Sequence, residues 1–256
     1  MENVISIKGL TKKYDKKVAV DYISLDIKQG EIFGLLGPNG AGKSTTLNML
    51  SSLTKPTSGS VELFGMVPNK NRREINGRIG YVPQELAIHE NLKAWENVEL
   101  FASLYGLKRQ ELKTRIVESL RYVELEEHRN HFAKTFSGGM KRRLNIACAL
   151  AHQPELLIFD EPTVGIDPQS RNFILEMIRK MNREGATILY TSHYMEEIEA
   201  LCTRIGIMDN GKIIAIGTKK ELVDLVKTDE KQNMTLEEVF LILTGKSLRD
   251  YGEGEN

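Results

Sequence analysis

The residues best suited to chemistry lie at positions 37–44, which read Gly-Pro-Asn-Gly-Ala-Gly-Lys-Ser. This segment fits the pattern G-x-x-x-x-G-K-[ST], in which glycines let backbone N–H groups approach a densely anionic phosphate. Lys43 is expected to reach the β- and γ-phosphates of a nucleotide, and the Ser44 hydroxyl is expected to ligate Mg²⁺. A helix starting near Lys43 would favour the same anion with its N-terminal partial positive charge. The predicted nucleotide-binding residues of this loop are Gly37, Pro38, Asn39, Gly40, Ala41, Gly42, Lys43, Ser44 and Thr45.

A pair of carboxylates follows the apolar segment 156–159. Asp160 can bind Mg²⁺, directly or through water, and Glu161 can polarise a water molecule for attack on a γ-phosphate. Strands often end in acidic turns, so this pair is weak evidence when it is taken alone. The glycine loop upstream favours the catalytic interpretation.

Predicted strands and helices place these residues. Residues 31–36 are apolar and lead into the glycine loop, and residues 43–53 carry leucines at helical spacing. Residues 156–159 and 186–190 predict two more strands, the second leading to His193. Strands that alternate with helices predict a mostly parallel sheet whose active edge lies at the carboxyl ends of its strands.

The remaining segments predict additions to this core. Alternating apolar and polar residues over the first thirty positions indicate an antiparallel β-subdomain. Residues 85–135 are rich in charge and helical in period, which indicates an inserted helical lobe. One face of its first helix is predicted to consist of Leu92, Trp95, Val98, Phe101 or Ala102, and Tyr105.

The C-terminal part predicts a hairpin and two helices. Asp-Asn-Gly-Lys at 209–212 is a hairpin signal between two apolar segments. Thr218 with Glu221, and Thr235 with Glu238, fit the capping box that opens a helix. We expect one domain over residues 1–220, with the helical lobe inserted at about 85–155, and a short helical extension over 221–256, whose last six residues are frayed.

Composition excludes several classes of protein. The chain of 256 residues has 35 basic and 35 acidic side chains, so no basic excess points to nucleic acid. No apolar segment approaches the roughly 20 residues that span a bilayer, and the first residues carry no secretory signal. Cys148 and Cys202 give no disulfide framework, and a reducing cytosolic compartment is expected.

The ordered motifs resemble the ATP-binding subunit of ABC transporters over nearly the whole chain. By this resemblance, positions 37–44 are the Walker A motif, Asp160 ends the Walker B motif and Glu161 is the catalytic glutamate. The other matches are Tyr14 (adenine stacking), Gln84 (glutamine loop), Ser137, Gly138 and Gly139 (signature motif), Asp167 (D-loop) and His193 (switch histidine). Taken singly, these residues also fit a core aromatic, a turn, a helix cap and an exposed histidine.

The resemblance implies an α/β P-loop NTPase core that hydrolyses ATP to ADP and phosphate. It implies ATP and Mg²⁺ as cofactors, with Ser44, Gln84 and Asp160 as metal ligands. Glu161, His193 and Lys43 are the implied catalytic residues. In this family the signature motif grips the nucleotide held by a different copy, so two nucleotide domains form the working unit.

The implied partners are a second copy of the chain or a paralogous ATPase subunit, and a separate membrane-spanning permease. The subunit would lie peripherally at the cytoplasmic face of the cell membrane, and no nucleic acid is expected. Phe136 and Met140 replace the usual ends of the signature motif, and Val164 is unusual before the D-loop. These variants resemble bacterial export-type subunits, for example those for drugs or sodium.

Two other classes of function compete with this interpretation. ABC ATPases that act on ribosomes carry two nucleotide domains, and those that act on chromosomes insert long coiled coils. Neither architecture fits 256 residues of balanced charge. A subunit that binds ATP without turnover is opposed by the presence of Lys43, Asp160, Glu161 and His193.

Overall fold

A computed structural model describes residues 2–227 and 234–245 of the chain. These residues divide into two compact units. The first unit comprises Met1–Arg72 and Leu189–Asn256, and the second comprises Arg73–Ile188. The predicted fraying of residues 251–256 lies outside the described residues.

The first unit contains an antiparallel sheet of three strands. Its central strand β1 (Asn3–Tyr14) pairs with β2 (Lys17–Lys28) on one side and with β4 (Ser58–Leu63) on the other. The predicted antiparallel arrangement is confirmed, although β1 and β2 are each 12 residues long rather than short. The sequence analysis did not predict β4, whose first residues, Ser-Gly-Ser, carry no apolar alternation.

A parallel strand pair lies in the same unit. Strand β3 (Ile32–Leu36) pairs in parallel with β8 (Arg204–Asp209), and β8 forms an antiparallel hairpin with β9 (Lys212–Gly217). Asn210 and Gly211, at the turn, have φ values of 47° and 79°. Two consecutive positive φ values define the turn type that Asn-Gly favours, so the predicted hairpin is confirmed.

Helices complete the first unit. Helix α1 (Lys43–Leu50) follows β3, and α7 (Met195–Leu201), α8 (Lys219–Val226) and α9 (Leu236–Thr244) lie in the C-terminal part. Helix α1 ends three residues before its predicted end. Both predicted capping boxes are present, since the side chains of Thr218 and Thr235 accept hydrogen bonds from the amides of Glu221 and Glu238.

The second unit combines a parallel strand pair with helices. Strand β5 (Ile79–Val82) pairs in parallel with β6 (Leu156–Asp160). The helices are α3 (Ala94–Leu104), α4 (Arg109–Tyr122), α5 (Gly138–Leu150) and α6 (Pro168–Arg183), with single 3-10 turns at Glu126–His128 and Ala133–Thr135. The division between the units falls within α2 (Pro68–Gly77) and β7 (Thr187–Ser192).

The buried face of α3 agrees in part with the predicted one. Val98 and Ala102 are buried, as predicted, together with Ala94 and Asn97, whereas Tyr105 is 40% exposed. An apolar pattern does not reveal Asn97, because it is a polar residue. Its side-chain oxygen accepts a hydrogen bond from the amide of His89 at 2.7 Å, and its amide group donates to the His89 carbonyl at 3.1 Å.

In the part of the chain that the structure describes, every helix is too short or too polar to cross a lipid bilayer. The cysteines are free, as expected, and Cys148 is buried within α5. Burial raises the pKa of the Cys148 thiol well above its ordinary range.

A stacked pair of rings joins the ends of two helices in the second unit. The His152 ring lies parallel to the Tyr105 ring, with centroids 3.6 Å apart. Its Nε2 atom lies 2.9 Å from the Ile79 carbonyl oxygen. Burial lowers the pKa of His152 to about 4, against a smaller raising effect of the contact with Ile79.

This depressed pKa predicts a loss of stability in mild acid. Between the ordinary histidine pKa near 6.5 and the folded value of about 4, the unfolded chain binds a proton that the folded chain does not. The free energy of unfolding should therefore fall by up to about 1.4 kcal/mol per pH unit as the pH drops through this range. Urea unfolding of His152→Gln from pH 7 to pH 4.5 should show a shallower loss than the wild type. His89→Gln, at an exposed histidine, is the control, and equal slopes for wild type and His152→Gln would contradict the prediction.

Candidate functional site

The glycine loop is held between two strands that leave no room for a side chain at two of its glycines. A Cβ atom on Gly37 would lie 2.2 Å from the Met208 carbonyl oxygen, and one on Gly42 would lie 2.5 Å from that of Ala19. Gly42 has a φ of 107°, in the left-handed region that favours glycine. The two glycines therefore let the loop pack closely against β2 and β8.

Lys43 places its ammonium group within the loop. The side chain is only 3% exposed, and Nζ donates hydrogen bonds to the carbonyls of Gly37 at 2.7 Å and Pro38 at 3.1 Å. Gly42 is the N-cap residue of α1 and has no side chain to cap the first-turn amides, and that turn contains no acidic residue. The charge and the helix terminus therefore favour an anion at the same place.

The β8–β9 hairpin fixes the loop from outside. The amide of Gly211 donates to the Ala41 carbonyl at 2.9 Å, and the amide of Asp21 donates to the Gly211 carbonyl at 2.8 Å. Around this anchor, Asn39 and Ser44 are exposed and Ala41 is buried. The backbone of the loop is thus fixed while its polar side chains stay accessible.

Tyr14 lies at the end of β1 and is 46% exposed. The alternative prediction, that Tyr14 is a core aromatic residue, is therefore wrong. The ammonium group of Lys12 lies 4.8 Å from the ring centroid, a cation–π distance. The exposed ring has the surface that stacking on a base requires.

His193 follows β7 and is held by a network of buried groups. The Glu197 carboxylate, 1% exposed, accepts hydrogen bonds from the Tyr190 hydroxyl at 2.8 Å and the Ser192 hydroxyl at 3.0 Å. Ser192 in turn accepts a hydrogen bond from the Tyr194 amide at 2.9 Å. Both neighbours of His193 in the chain are thereby fixed. The sequence analysis missed Glu197, because an acidic residue in the first turn of a helix usually faces solvent.

Two buried carboxylates follow one another at the end of β6. Asp160 and Glu161 are each 4% exposed, and Asp160 lies 3.4 Å from the Tyr81 hydroxyl. Burial raises the pKa of Tyr81, and the charge of Asp160 adds to the effect, so the hydroxyl keeps its proton and can donate. Glu161 has a φ of 46°, and such backbone strain in residues other than glycine concentrates at functional sites.

Gln84 lies just beyond β5 and is exposed. Its backbone is held by a residue that the sequence analysis missed. The Arg142 guanidinium, on α5, donates to the carbonyls of Pro83 at 2.8 Å and Gln84 at 2.6 Å. No motif in the sequence points to this contact between segments 58 residues apart.

Ser137 is the N-cap of α5, and its hydroxyl accepts a hydrogen bond from the Met140 amide at 3.2 Å. Ser137 and Gly138 are exposed, whereas Gly139 is buried. A Cβ atom on Gly139 would lie 2.1 Å from Oγ and 2.7 Å from Cβ of Ser170. The helix N-terminus is therefore presented to solvent while its second glycine packs against α6.

Asp167 is the N-cap residue of α6, as Ser137 is of α5. Its carboxylate accepts a hydrogen bond from the Ser170 amide at 2.9 Å. This bond is the main reason that the pKa of Asp167 lies below its ordinary value. The predicted D-loop aspartate thus serves as a helix cap next to Gly139.

Within each unit the predicted residues lie on defined elements. The first unit carries Tyr14, the glycine loop and His193, and the second carries Gln84, Ser137, Asp160, Glu161 and Asp167. Among the described residues, no group of three or more His, Cys, Asp or Glu side chains is placed to hold a metal ion. The predicted donors Ser44, Gln84 and Asp160 instead offer hydroxyl, amide and carboxylate oxygens. Mg²⁺ prefers such oxygens and usually completes its shell with water and phosphate, so these donors fit it.

Comparison with known proteins identifies the family. The profile of the ABC transporter family matches residues 20–164, which is more than half of the chain. The chain is 50% identical to the linearmycin resistance ATP-binding protein of Bacillus subtilis, over 93% of this chain and 78% of that protein. It is 40% identical to the Nod factor export ATP-binding protein I of Ralstonia nicotianae, over 86% of this chain and 68% of that protein.

Solved structures agree with these relatives. An ATP-binding subunit of an ABC transporter, 30% identical, superposes with a TM-score of 0.84 over 94% of this chain and 99% of that one. A dimeric post-hydrolysis ATP-binding cassette bound to ADP and Pi, also 30% identical, superposes with a TM-score of 0.76 over 84% and 98% of the two chains. The chain belongs to the ABC transporter family, as an ATP-binding subunit with an ATPase domain. The predicted resemblance and the predicted α/β P-loop fold are confirmed.

The contact of Gly139 with Ser170 predicts a specific steric effect. Gly139→Ala should lower the free energy of unfolding by about 1–3 kcal/mol, the usual cost of overpacking, because its methyl group meets Ser170. Gly138→Ala is the matched control, since a Cβ atom there meets no atom within 4 Å. Chemical denaturation should also show that Ser170→Gly restores much of the stability of Gly139→Ala. Equal stabilities of the two alanine variants would contradict this packing.

Proposed function

We propose that this chain is the ATP-hydrolysing subunit of an ABC exporter, in which two nucleotide domains close on two ATP molecules and drive a separate membrane-spanning permease. The observation that carries the proposal is the exposure of Ser137 and Gly138 at the N-terminus of α5. A helix N-terminus capped by a small residue is an anion site that a nucleotide on another molecule can reach.

The glycine loop and Lys43 bind the phosphates of ATP in this proposal. The backbone of Gly37, Pro38, Asn39, Gly40, Ala41, Gly42, Ser44 and Thr45 surrounds them. Strands β2 and β8 leave no room for side chains at two of the glycines, so they hold the backbone of the loop in one position. The exposed ring of Tyr14 stacks on adenine.

Ser44, Asp160 and Gln84 would hold Mg²⁺ through hydroxyl, carboxylate and amide oxygens. The bound ion would neutralise charge that develops on the phosphates during transfer. The Tyr81 hydroxyl orients the Asp160 carboxylate by donating to it. Because Asp160 is buried, it keeps a fixed position from which to bind the ion.

Glu161 acts as the general base that accepts a proton from the attacking water. Its burial and its strained backbone support this role, since both hold the carboxylate in one position. His193 contacts the γ-phosphate, and the Glu197 network keeps its segment in place. Lys43 stabilises charge on the same phosphate.

The second half of each nucleotide site comes from the other subunit. Ser137, Gly138 and Gly139 bind the phosphates held by the partner, and Asp167 lies at the dimer seam. The partner is a second copy or a paralogous ATPase subunit. Loss of the γ-phosphate removes the group that bridges the two subunits, so hydrolysis opens the dimer.

The permease docks beside the helical lobe near Gln84. Large apolar side chains of the second unit support this site, each at least 38% exposed: Leu86, Leu100, Leu104, Tyr105 and Phe132. Exposed large apolar side chains of this kind are candidates for burial in a protein–protein contact. The subunit would lie peripherally at the cytoplasmic face of the cell membrane.

We further propose the domain organisation expected from the sequence, with an ATPase domain over 1–220, a lobe at about 85–155 and an extension over 221–256. Helices α8 and α9 support the extension. The export direction is supported by relatives named for linearmycin resistance and Nod factor export. The balance of 35 basic and 35 acidic side chains supports a partner other than nucleic acid.

Glu161→Gln tests the hydrolytic role. We expect ATP turnover to fall by about 10²-fold or more, the scale of a lost general base, while ATP binding persists. Phosphate release and binding of a fluorescent ATP analogue measure the two effects. Glu118→Gln, the same substitution at an exposed carboxylate of α4, should retain wild-type turnover. Normal turnover by Glu161→Gln would refute the role assigned to this residue.

The partner is tested by co-purification from native membranes. Tagged Glu161→Gln with ATP should hold the closed dimer and retain a multi-spanning membrane protein that mass spectrometry identifies. Tagged Glu118→Gln, which should hydrolyse ATP and reopen, should retain less of it. Recovery of ribosomal or chromosomal proteins without a membrane protein would overturn the transporter assignment and leave the ATPase chemistry standing.

A further inference from the structure

Helix α5 is joined to the segment that follows β5 by three side chains. Arg142 donates to the carbonyls of Pro83 and Gln84, as described above. Asn145 accepts a hydrogen bond from the Ala87 amide at 3.2 Å, and Lys141 forms an ion pair with Glu90. We name residues 83–90 the glutamine segment. The first two turns of α5 thus hold the glutamine segment at three points.

Arg142 makes the most specific of these contacts. Its side chain is only 4% exposed, and a buried charge requires fixed polar partners. A planar guanidinium can donate to two neighbouring carbonyls from different nitrogens, whereas a lysine ammonium acts as a point charge. The contact therefore fixes the direction of the backbone at Gln84 as well as its distance from α5.

The adjacent arginine makes different contacts. Arg143 donates to the Val123 carbonyl at 3.2 Å, and its guanidinium carbon lies 4.9 Å from the centroid of the Phe173 ring. It therefore contacts the end of α4 and helix α6 and not the glutamine segment. Two arginines next to each other in the chain thus offer a matched pair for comparison.

We propose that Arg142 is a positioning residue that makes the glutamine segment and the N-terminus of α5 move as one piece. Ser137 lies five residues before Arg142, about 7.5 Å along the same helix, so a displacement of the Gln84 backbone is passed directly to Ser137. This inference rests on the proposed function, in which Gln84 responds to bound nucleotide and Ser137 binds the nucleotide of the partner. Its consequence is that loss of Arg142 should weaken ATP-dependent dimerisation without changing how the glycine loop of the same subunit binds nucleotide.

Arg142→Met, which keeps the apolar stem, tests the proposal in the full-length chain. We expect a fluorescent ATP analogue to bind the monomer as it binds the wild type, since Arg142 donates to the backbone carbonyls of Pro83 and Gln84 and has no nucleotide-binding role in the proposed function. In the Glu161→Gln background, ATP-dependent dimerisation measured by sedimentation should weaken by about tenfold, a typical coupling between sites. Without that background, kcat should fall by a similar factor with little change in KM. Arg143→Met is the control and should dimerise and turn over like the wild type.

The outcomes separate this inference from the proposed function. If Glu161→Gln alone does not dimerise with ATP, the proposed function fails and the inference fails with it. If it dimerises and Arg142→Met has no effect on dimerisation or kcat, the inference alone is overturned. If Arg142→Met does not fold, Arg142→Lys replaces it. Folded Arg142→Lys should show an intermediate loss of kcat, and wild-type kcat in that variant would also overturn the inference.

Discussion

The first unit depends on two glycines of the loop at positions 37–44, where the neighbouring strands leave no space for a side chain. Strands β2 and β8 supply carbonyl oxygens so close to Gly37 and Gly42 that a single methyl group would collide with them. Strand β3 leads into the loop and helix α1 follows it. The β8–β9 hairpin donates a hydrogen bond to the backbone of the loop. A sequence without glycine at these two points would have to separate the strands.

The second unit is organised around a helix N-terminus. Helix α5 presents Ser137 to solvent, packs Gly139 against α6 and holds the glutamine segment with Arg142. Consecutive cations at the start of a helix oppose the helix dipole, yet here Lys141, Arg142 and Arg143 each have a partner in this unit. These partners offset the unfavourable interaction of the three cations with the helix dipole.

Local signals made much of this structure predictable from sequence. The Asn-Gly hairpin and both capping boxes depend on contacts within a few residues, and all are present. The glycine loop also has a local signal, since its glycines and Lys43 are consecutive in the sequence between a strand and a helix. The contacts of Arg142, Glu197 and Asn97 were not predictable. Each is a polar side chain that the fold buries, and the sequence pattern gives no sign of that burial. The glycine at 139 was predicted for its role at a phosphate, whereas the structure gives it a second reason in the proximity of Ser170.

The two cysteines have a practical consequence for spectroscopy. Cys148 is buried in α5, and burial raises the thiol pKa of both Cys148 and Cys202, with the charge of Glu197 adding to the effect at Cys202. Thiolates are the species that react with maleimides, so the buried thiol of Cys148 should label slowly in the folded protein. Cys202 is partly exposed, so spin labels or dyes can be attached to cysteines introduced at exposed positions once Cys202 is replaced. Distances within and between subunits then become measurable on the otherwise unaltered chain.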